Sequence, residues 1–160
     1  MVAQVTALLR NKTSLEIAQT AFETVRSELI HERNENSAMQ VVLFSFGFKH
    51  GPPAADSVWD IRFLPNPYYI PDMKNKTGQV PAVAQYVLDN SAARDFLGRF
   101  EPCIESFLAR HEEAGRDSIC LAVGCTGGRH RSVAVAEHLG KFLAEKNYDV
   151  QLYHRDIEKE

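Results

Sequence analysis

One ten-residue run, Val123-Gly124-Cys125-Thr126-Gly127-Gly128-Arg129-His130-Arg131-Ser132, constrains this chain more than any other stretch. It joins an apolar, β-rich segment to a helical one through small and basic residues. The upstream segment, Ser118 to Val123, is short and bounded by polar residues, which predicts a strand. Ser132 to Lys146 carries Val135, Leu139, Phe142 and Leu143 at helical spacing, which predicts a helix. The turn therefore falls where a helix begins. There, unpaired N–H groups and the positive end of the macrodipole face outward, and Gly127 and Gly128 let the backbone approach a phosphate closely. Arg131 adds a guanidinium able to clamp an oxyanion bidentately. The run reads as an oxyanion cradle.

The rest of the chain alternates in the same way. Val41 to Phe46 is β-rich, Gly47 to Pro53 turn-rich, and Ser57 to Phe63 a second predicted strand, followed by the loop Leu64-Pro65-Asn66-Pro67. Residues 81–90 and 92–113 have helical spacing, the second with Phe96, Phe100, Ile104 and Phe107 as its apolar stripe, and Asp149 to Tyr153 makes a last strand. This order predicts an α/β fold: a single open sheet, mixed or mostly parallel, flanked by helices. Upstream, residues 13–36 repeat Leu15, Ala18, Phe22, Val25 and Leu29 at alternating steps of three and four, an amphipathic helix capped by Thr13 or Ser14. The expected division is an N-terminal helical extension and linker over 1–38 and an α/β domain over 39–160.

In such a fold the loops at the strand C-termini gather into one crevice. Lys49 and His50, Asp60 and Arg62, the Cys125 turn, and His154 and Arg155 all fall at strand ends, so a shared polar pocket is expected there. Asp60 could balance charge with Arg62 or Arg131, or accept hydrogen bonds from a ligand; sequence leaves both open. The net charge of −3 gives no global attraction to nucleic acid or anionic membrane, so a polyanion must be held by a local basic pocket. No stretch approaches the roughly 20 apolar residues of a membrane span, and the N-terminus lacks a signal-peptide layout. A cytoplasmic protein with no membrane role is expected. Cys103, Cys120 and Cys125 show no C-x-x-C spacing, which argues against a disulfide framework and a zinc site.

Cys125 and Arg131 also satisfy C-x5-R, with Ser132 next, which resembles the phosphate loop of cysteine-dependent phosphatases. In that chemistry a thiolate attacks phosphorus, backbone amides and the Arg hold the equatorial oxygens, and the Ser assists thiolate departure. Cys125, Arg131 and Ser132 are the catalytic residues on that reading. No aspartate has positional support as the general acid, and a packed cysteine at a strand end is the alternative.

The longer pattern favours a binding module. Ser45-Phe46-Gly47-Phe48-Lys49-His50-Gly51, Asp60 to Pro67, Thr77-Gly78, Gly124 to Ser132 and His154-Arg155-Asp156 follow one another. Together, over about residues 40 to 157, they resemble the C-terminal domain of the RapZ family of RNase adapter proteins. The resemblance implies a domain that binds glucosamine 6-phosphate, multimerises, and in enterobacterial members binds small regulatory RNA. It implies a phosphate seated on Thr126, Gly127, Gly128, Arg129, His130, Arg131 and Ser132, and a pocket drawing on Lys49, His50, Asp60, Arg62, Asn66, Thr77, Gly78, His154 and Arg155. The expected ligand is a small phosphorylated metabolite, with a second copy of the chain and a protein partner alongside, and no catalysis. Some features depart from the family. No G-x-x-x-x-G-K-[ST] occurs, so neither ATP nor any other cofactor is expected. Met73-Lys74 stands where members commonly show Leu-Arg, and Val80 where they are commonly acidic. The chain reads Glu158-Lys159-Glu160 where RNA-binding members carry a Lys and Arg cluster, which makes RNA the third reading after the metabolite and the phosphatase.

Overall fold

The computed structural model describes residues 39–159; the amphipathic pattern at 13–36 and the linker after it lie outside the described residues. Four strands form one sheet: β1 (Gln40–Gly47), β2 (Ser57–Asp60), β3 (Ser118–Cys125) and β4 (Asp149–His154), in the order β2-β3-β1-β4. Every pairing is parallel, which settles the mixed-or-parallel expectation. Three α-helices accompany them: α1 (Pro81–Leu88), α2 (Ser91–Glu113) and α3 (Arg131–Glu145). Among the described residues no helix is long and apolar enough to cross a membrane.

The central strands β1 and β3 are near-continuous apolar runs because a parallel strand is covered on both faces. Val41 and Leu43 of β1, with Ile119, Leu121 and Val123 of β3, meet Val87 of α1, Leu97, Ile104 and Leu108 of α2, and Val135, Leu139 and Leu143 of α3 in the main core. The opposite face holds a smaller cluster, Phe44, Phe46 and Ala122, packed with Phe48 and Ala55 from the loop after β1. Trp59 is half-buried, edge-to-face with Phe100 at 4.9 Å.

Some sequence expectations shift. β2 stops at Asp60 rather than Phe63, because the Asp60 carboxylate captures the Arg62 N–H at 3.0 Å and Leu64 N–H bonds back to the Ile61 carbonyl at 3.2 Å, turning the chain. On α2 the buried positions are Ala93, Leu97, Phe100, Ile104 and Leu108, so Phe100 and Ile104 of the expected stripe lie inside and Phe96 and Phe107 at the margin. On α3, Phe142 is half-buried, while the whole first turn is inside the protein.

The connections set the site. From β1 the chain runs to β2 at one edge, and from β3 it runs to β4 at the other. The central strands are thus left in opposite directions, which opens a crevice beyond their C-termini, at Gly47 and Cys125, which are partners in register.

Candidate functional site

The turn that follows β3 is shaped by contacts that tolerate no side chain. Gly128 has φ +78°, and a Cβ there would lie 2.7 Å from the Gly47 nitrogen and 2.9 Å from Asp156 Cβ. Gly47 approaches as closely from the other side, its Cβ position 2.6 Å from the Gly127 carbonyl carbon. Gly128→Ala is therefore expected to lower stability by about 1–3 kcal/mol and to move the turn; urea unfolding with the midpoint unchanged would show that the turn accommodates the methyl. The amides of Gly127, Arg129 and His130 donate to no acceptor among the described residues, and the first-turn amides of α3 are free by construction. They stand at the positive end of that helix's dipole.

Cys125 Sγ lies at the base of this turn, 3.2 Å from Ser132 Oγ, and accepts the Gly128 N–H at 3.3 Å. Arg131 is buried, and its guanidinium reaches back across the crevice. Nη1 donates to the Arg62 carbonyl at 2.7 Å and the Leu64 carbonyl at 3.2 Å, and Nη2 to Thr126 Oγ1 at 3.2 Å. Its Nε has no partner, and no carboxylate among the described residues forms an ion pair with it. The bidentate clamp expected from sequence is thus largely committed to protein acceptors, and the unpartnered Nε is itself buried, so what Arg131 brings to the crevice is a fixed positive charge.

A cavity of about 610 Å³ opens over the turn. Of the residues singled out from sequence, Lys49, Asn66, Cys125, Thr126, Gly127, Arg129, His130 and Arg131 line it. Tyr68, Tyr69, Lys74, Asn75 and Lys159 line it as well and were not among those expected. Lys74 Nζ sits over the Tyr68 ring at 4.8 Å. The cationic side chains Lys49, Lys74, Arg129, Arg131 and Lys159 face the cavity, and among the described residues no carboxylate lines it. Burial, the largest influence, pushes the His130 imidazole below its usual value, against hydrogen bonds to the Lys74, Met73 and Lys76 carbonyls. With Nε2 3.1 Å from the Lys74 carbonyl, His130 is a neutral ring tying the 73–76 loop to the turn.

The remaining predicted residues do not line this cavity. Asp60 is spoken for: Arg62 Nη2 meets Oδ2 at 2.6 Å, and Arg62 lies over the Phe48 ring at 4.3 Å. These hydrogen bonds from Arg62, with a smaller contribution from the Arg131 charge, hold the Asp60 carboxyl below its ordinary range. Gly78 N–H donates to the Arg129 carbonyl at 2.8 Å, and the Thr77 carbonyl accepts the Val80 N–H, so this pair backs the turn. His50 is half-buried beside Lys49, its Nε2 without a partner. Ser132 is inside α3 with its hydroxyl on the sulfur. His154 bridges Ser45 Oγ at 2.9 Å and Glu137 at 3.2 Å between β1 and α3. Arg155 donates to the Gly51 carbonyl at 2.9 Å and pairs with Asp156 at 2.7 Å. Asp156, wholly buried, also accepts the Gly47 N–H at 2.8 Å and pairs with Lys159 at 2.7 Å. Burial raises its pKa, but these donors outweigh it and hold the carboxyl far below its usual range.

Comparison with known proteins agrees with this architecture. The profile of the RapZ C-terminal domain matches residues 39–158. A nucleotide-binding protein of Limosilactobacillus reuteri (strain DSM 20016) is 45% identical over 136 residues, covering 84% of this chain and 47% of the relative. Another of that name, from Lacticaseibacillus casei (strain BL23), is 41% identical over 157 residues, covering 94% and 53%. A third, from Myxococcus xanthus (strain DK1622), is 47% identical over 119 residues, covering 74% and 42%. The chain spans about half the length of the curated relatives it matches. With the matched segment running from the first residue before β1 to beyond Asp156, the chain belongs to the RapZ C-terminal domain family.

Proposed function

We propose that residues 39–160 bind a small phosphorylated metabolite in the cavity above the Thr126–His130 turn and report it to a protein partner, with residues 1–38 as an appended extension. The observation that carries this reading is the lining: lysines and arginines, free amides at a helix N-terminus, and no carboxylate among the described residues. A dianionic phosphate meets donors and positive charge on several sides there, and charge-assisted hydrogen bonds are the strong ones. The family resemblance supports a phosphorylated amino sugar of the glucosamine 6-phosphate kind. Tyr68 and Tyr69, both exposed at the rim, offer flat apolar faces for a sugar ring, and Asn66 an amide for its hydroxyls. With no carboxylate for a sugar ammonium, the phosphate supplies most of the affinity.

Calorimetry with glucosamine 6-phosphate, glucose 6-phosphate, glucosamine and inorganic phosphate tests this. The phosphorylated sugars are expected to bind and glucosamine alone not to. Arg129→Ala is expected to weaken binding about tenfold or more, since a hydrogen bond to a charged group contributes roughly 1.5–3 kcal/mol. Binding that ignores inorganic phosphate as a competitor would overturn the reading. Self-association belongs to the same proposal, supported by the apolar stripe of residues 13–36 and by the resemblance. Sedimentation of the full chain is expected to show more than a monomer, and a monomer would remove that part.

A further inference from the structure

We propose that phosphate binding is coupled to proton uptake at His130, which thereby clamps the 73–76 loop over the occupied cavity. This rests on the phosphate-binding reading above. The His130 ring is 8% exposed and lies where the turn meets that loop. Three loop carbonyls converge on it: that of Lys74 is 3.1 Å from Nε2, and those of Met73 and Lys76 are placed to accept from the ring as well. A carbonyl can only accept. A neutral imidazole has one N–H to share among the three, whereas the imidazolium has two. The loop thus suits the charged ring, and it is the surroundings that keep the ring neutral: burial is the largest influence, and Arg129 adds repulsion.

The charges around the ring are positive. Arg129 is its neighbour, Lys74 and Lys76 belong to the loop that supplies the carbonyls, and Lys49, Arg131 and Lys159 line the same cavity. Among the described residues no carboxylate lines that cavity, and the first turn of α3 carries none. Glu137, further along α3, is taken up by Gln79 and His154. His50 is the other titratable ring near the turn, half-buried with its Nε2 unpartnered, next to Lys49, whose amide donates to the Thr126 carbonyl. No protein group around the cavity therefore balances a proton on His130. A phosphate seated on the turn does, because an adjacent opposite charge favours the protonated ring. The second N–H then serves a further loop carbonyl, and the segment carrying Tyr68, Tyr69 and Lys74 over the cavity is tied more firmly. Anion and proton each strengthen the other's hold, since such coupling is reciprocal. Affinity is highest where the bound ring keeps its proton. It falls as pH rises through the bound-state pKa, by at most about tenfold per pH unit.

The test is calorimetry of the full chain with glucose 6-phosphate in buffers of low and high ionisation enthalpy. At about pH 7.5 a phosphate ester, with a second pKa of about 6, is already dianionic. This sugar has no ammonium to titrate, so any protons exchanged come from the protein. Net uptake on the order of half a proton per ligand is expected for wild type, and none for His130→Gln. Glutamine keeps an amide donor for the Lys74 carbonyl but cannot gain a proton. Between about pH 6.5 and 8.5 the wild-type affinity is expected to fall about fivefold or more, and that of His130→Gln to stay within about twofold. Binding without proton uptake by wild type overturns the proposal, whatever the variants do. Uptake that persists in His130→Gln overturns it too, and its loss in His50→Gln instead would assign the proton to His50. The two readings fail separately: binding without uptake sinks the coupling alone, and no binding in any buffer sinks both.

Discussion

Arg131→Ala is expected to lower the unfolding free energy by about 2–5 kcal/mol, because the substitution strands acceptors as well as deleting a side chain. The guanidinium serves the Arg62 carbonyl, the Leu64 carbonyl and Thr126 Oγ1 from a buried position. A buried acceptor left without a donor costs roughly 1–3 kcal/mol, and two carbonyls are at stake. Those carbonyls belong to the turn that ends β2, so its geometry is expected to fail along with the cavity wall. Arg131→Lys keeps the charge but not the fork, so it should recover one carbonyl and roughly half the loss. Urea unfolding of the two variants checks this. An alanine variant within about 0.5 kcal/mol of wild type would show that water replaces the guanidinium.

The second large effect concerns Asp156. Removing its carboxylate leaves Arg155, Lys159 and the Gly47 amide without their shared acceptor. Breaking such a pair from one side typically costs about 3–5 kcal/mol, so Asp156→Ala is expected near that range at neutral pH. The sign with pH follows from the depressed folded-state pKa. An unfolded Asp titrates near 3.8, and the folded carboxyl well below that. The stabilisation is fully present above the unfolded value and is lost as pH falls from there toward the folded one. Wild type and Asp156→Asn should therefore differ most near pH 7, and the gap should begin to narrow only below about pH 4. A gap that stays constant down to pH 3 would mean the carboxyl's charge is not what holds Gly47.

How much of this was legible in the sequence depends on whether a local rule governed the residue. β1, β3 and α3 announce themselves by apolar runs and helical spacing, and the glycine turn between β3 and α3 by composition. The end of β2 did not, because Ile61 to Phe63 continue the alternation, and only the side chain of Asp60 breaks the ladder. In a strand, Asp60 and Arg62 would share a face and point at one ligand; in the turn they close on each other. Lys49 and the 125–131 turn follow from the convergence of loops at parallel strand ends, and Asn66 from the family resemblance alone. Tyr68, Tyr69, Lys74 and Asn75 lie on a segment without periodicity, and only its packing against His130 brings it over the cavity. His154 and Arg155 were placed at the correct end of the sheet, yet their partners, Ser45, Glu137, Gly51 and Asp156, draw them into its support.

The meeting of Gly47 with Gly128 has a consequence for how such a domain drifts over evolutionary time. A methyl at either position strikes the main chain of the other's segment, at 2.6 Å in one direction and 2.7 Å in the other. Ordinary core contacts diverge by trading volume, a larger residue here for a smaller one opposite. That route is closed here, since every amino acid carries the same backbone and glycine has nothing left to give up. The two positions are thus expected to stay glycine in every lineage that keeps the crevice, whatever it binds, while Lys49, Lys74 and Arg129 are free to change as ligands change. Invariance at 47 and 128 would then record a joint in the scaffold, and it is variation among the lysines and arginines above it that would track ligand preference.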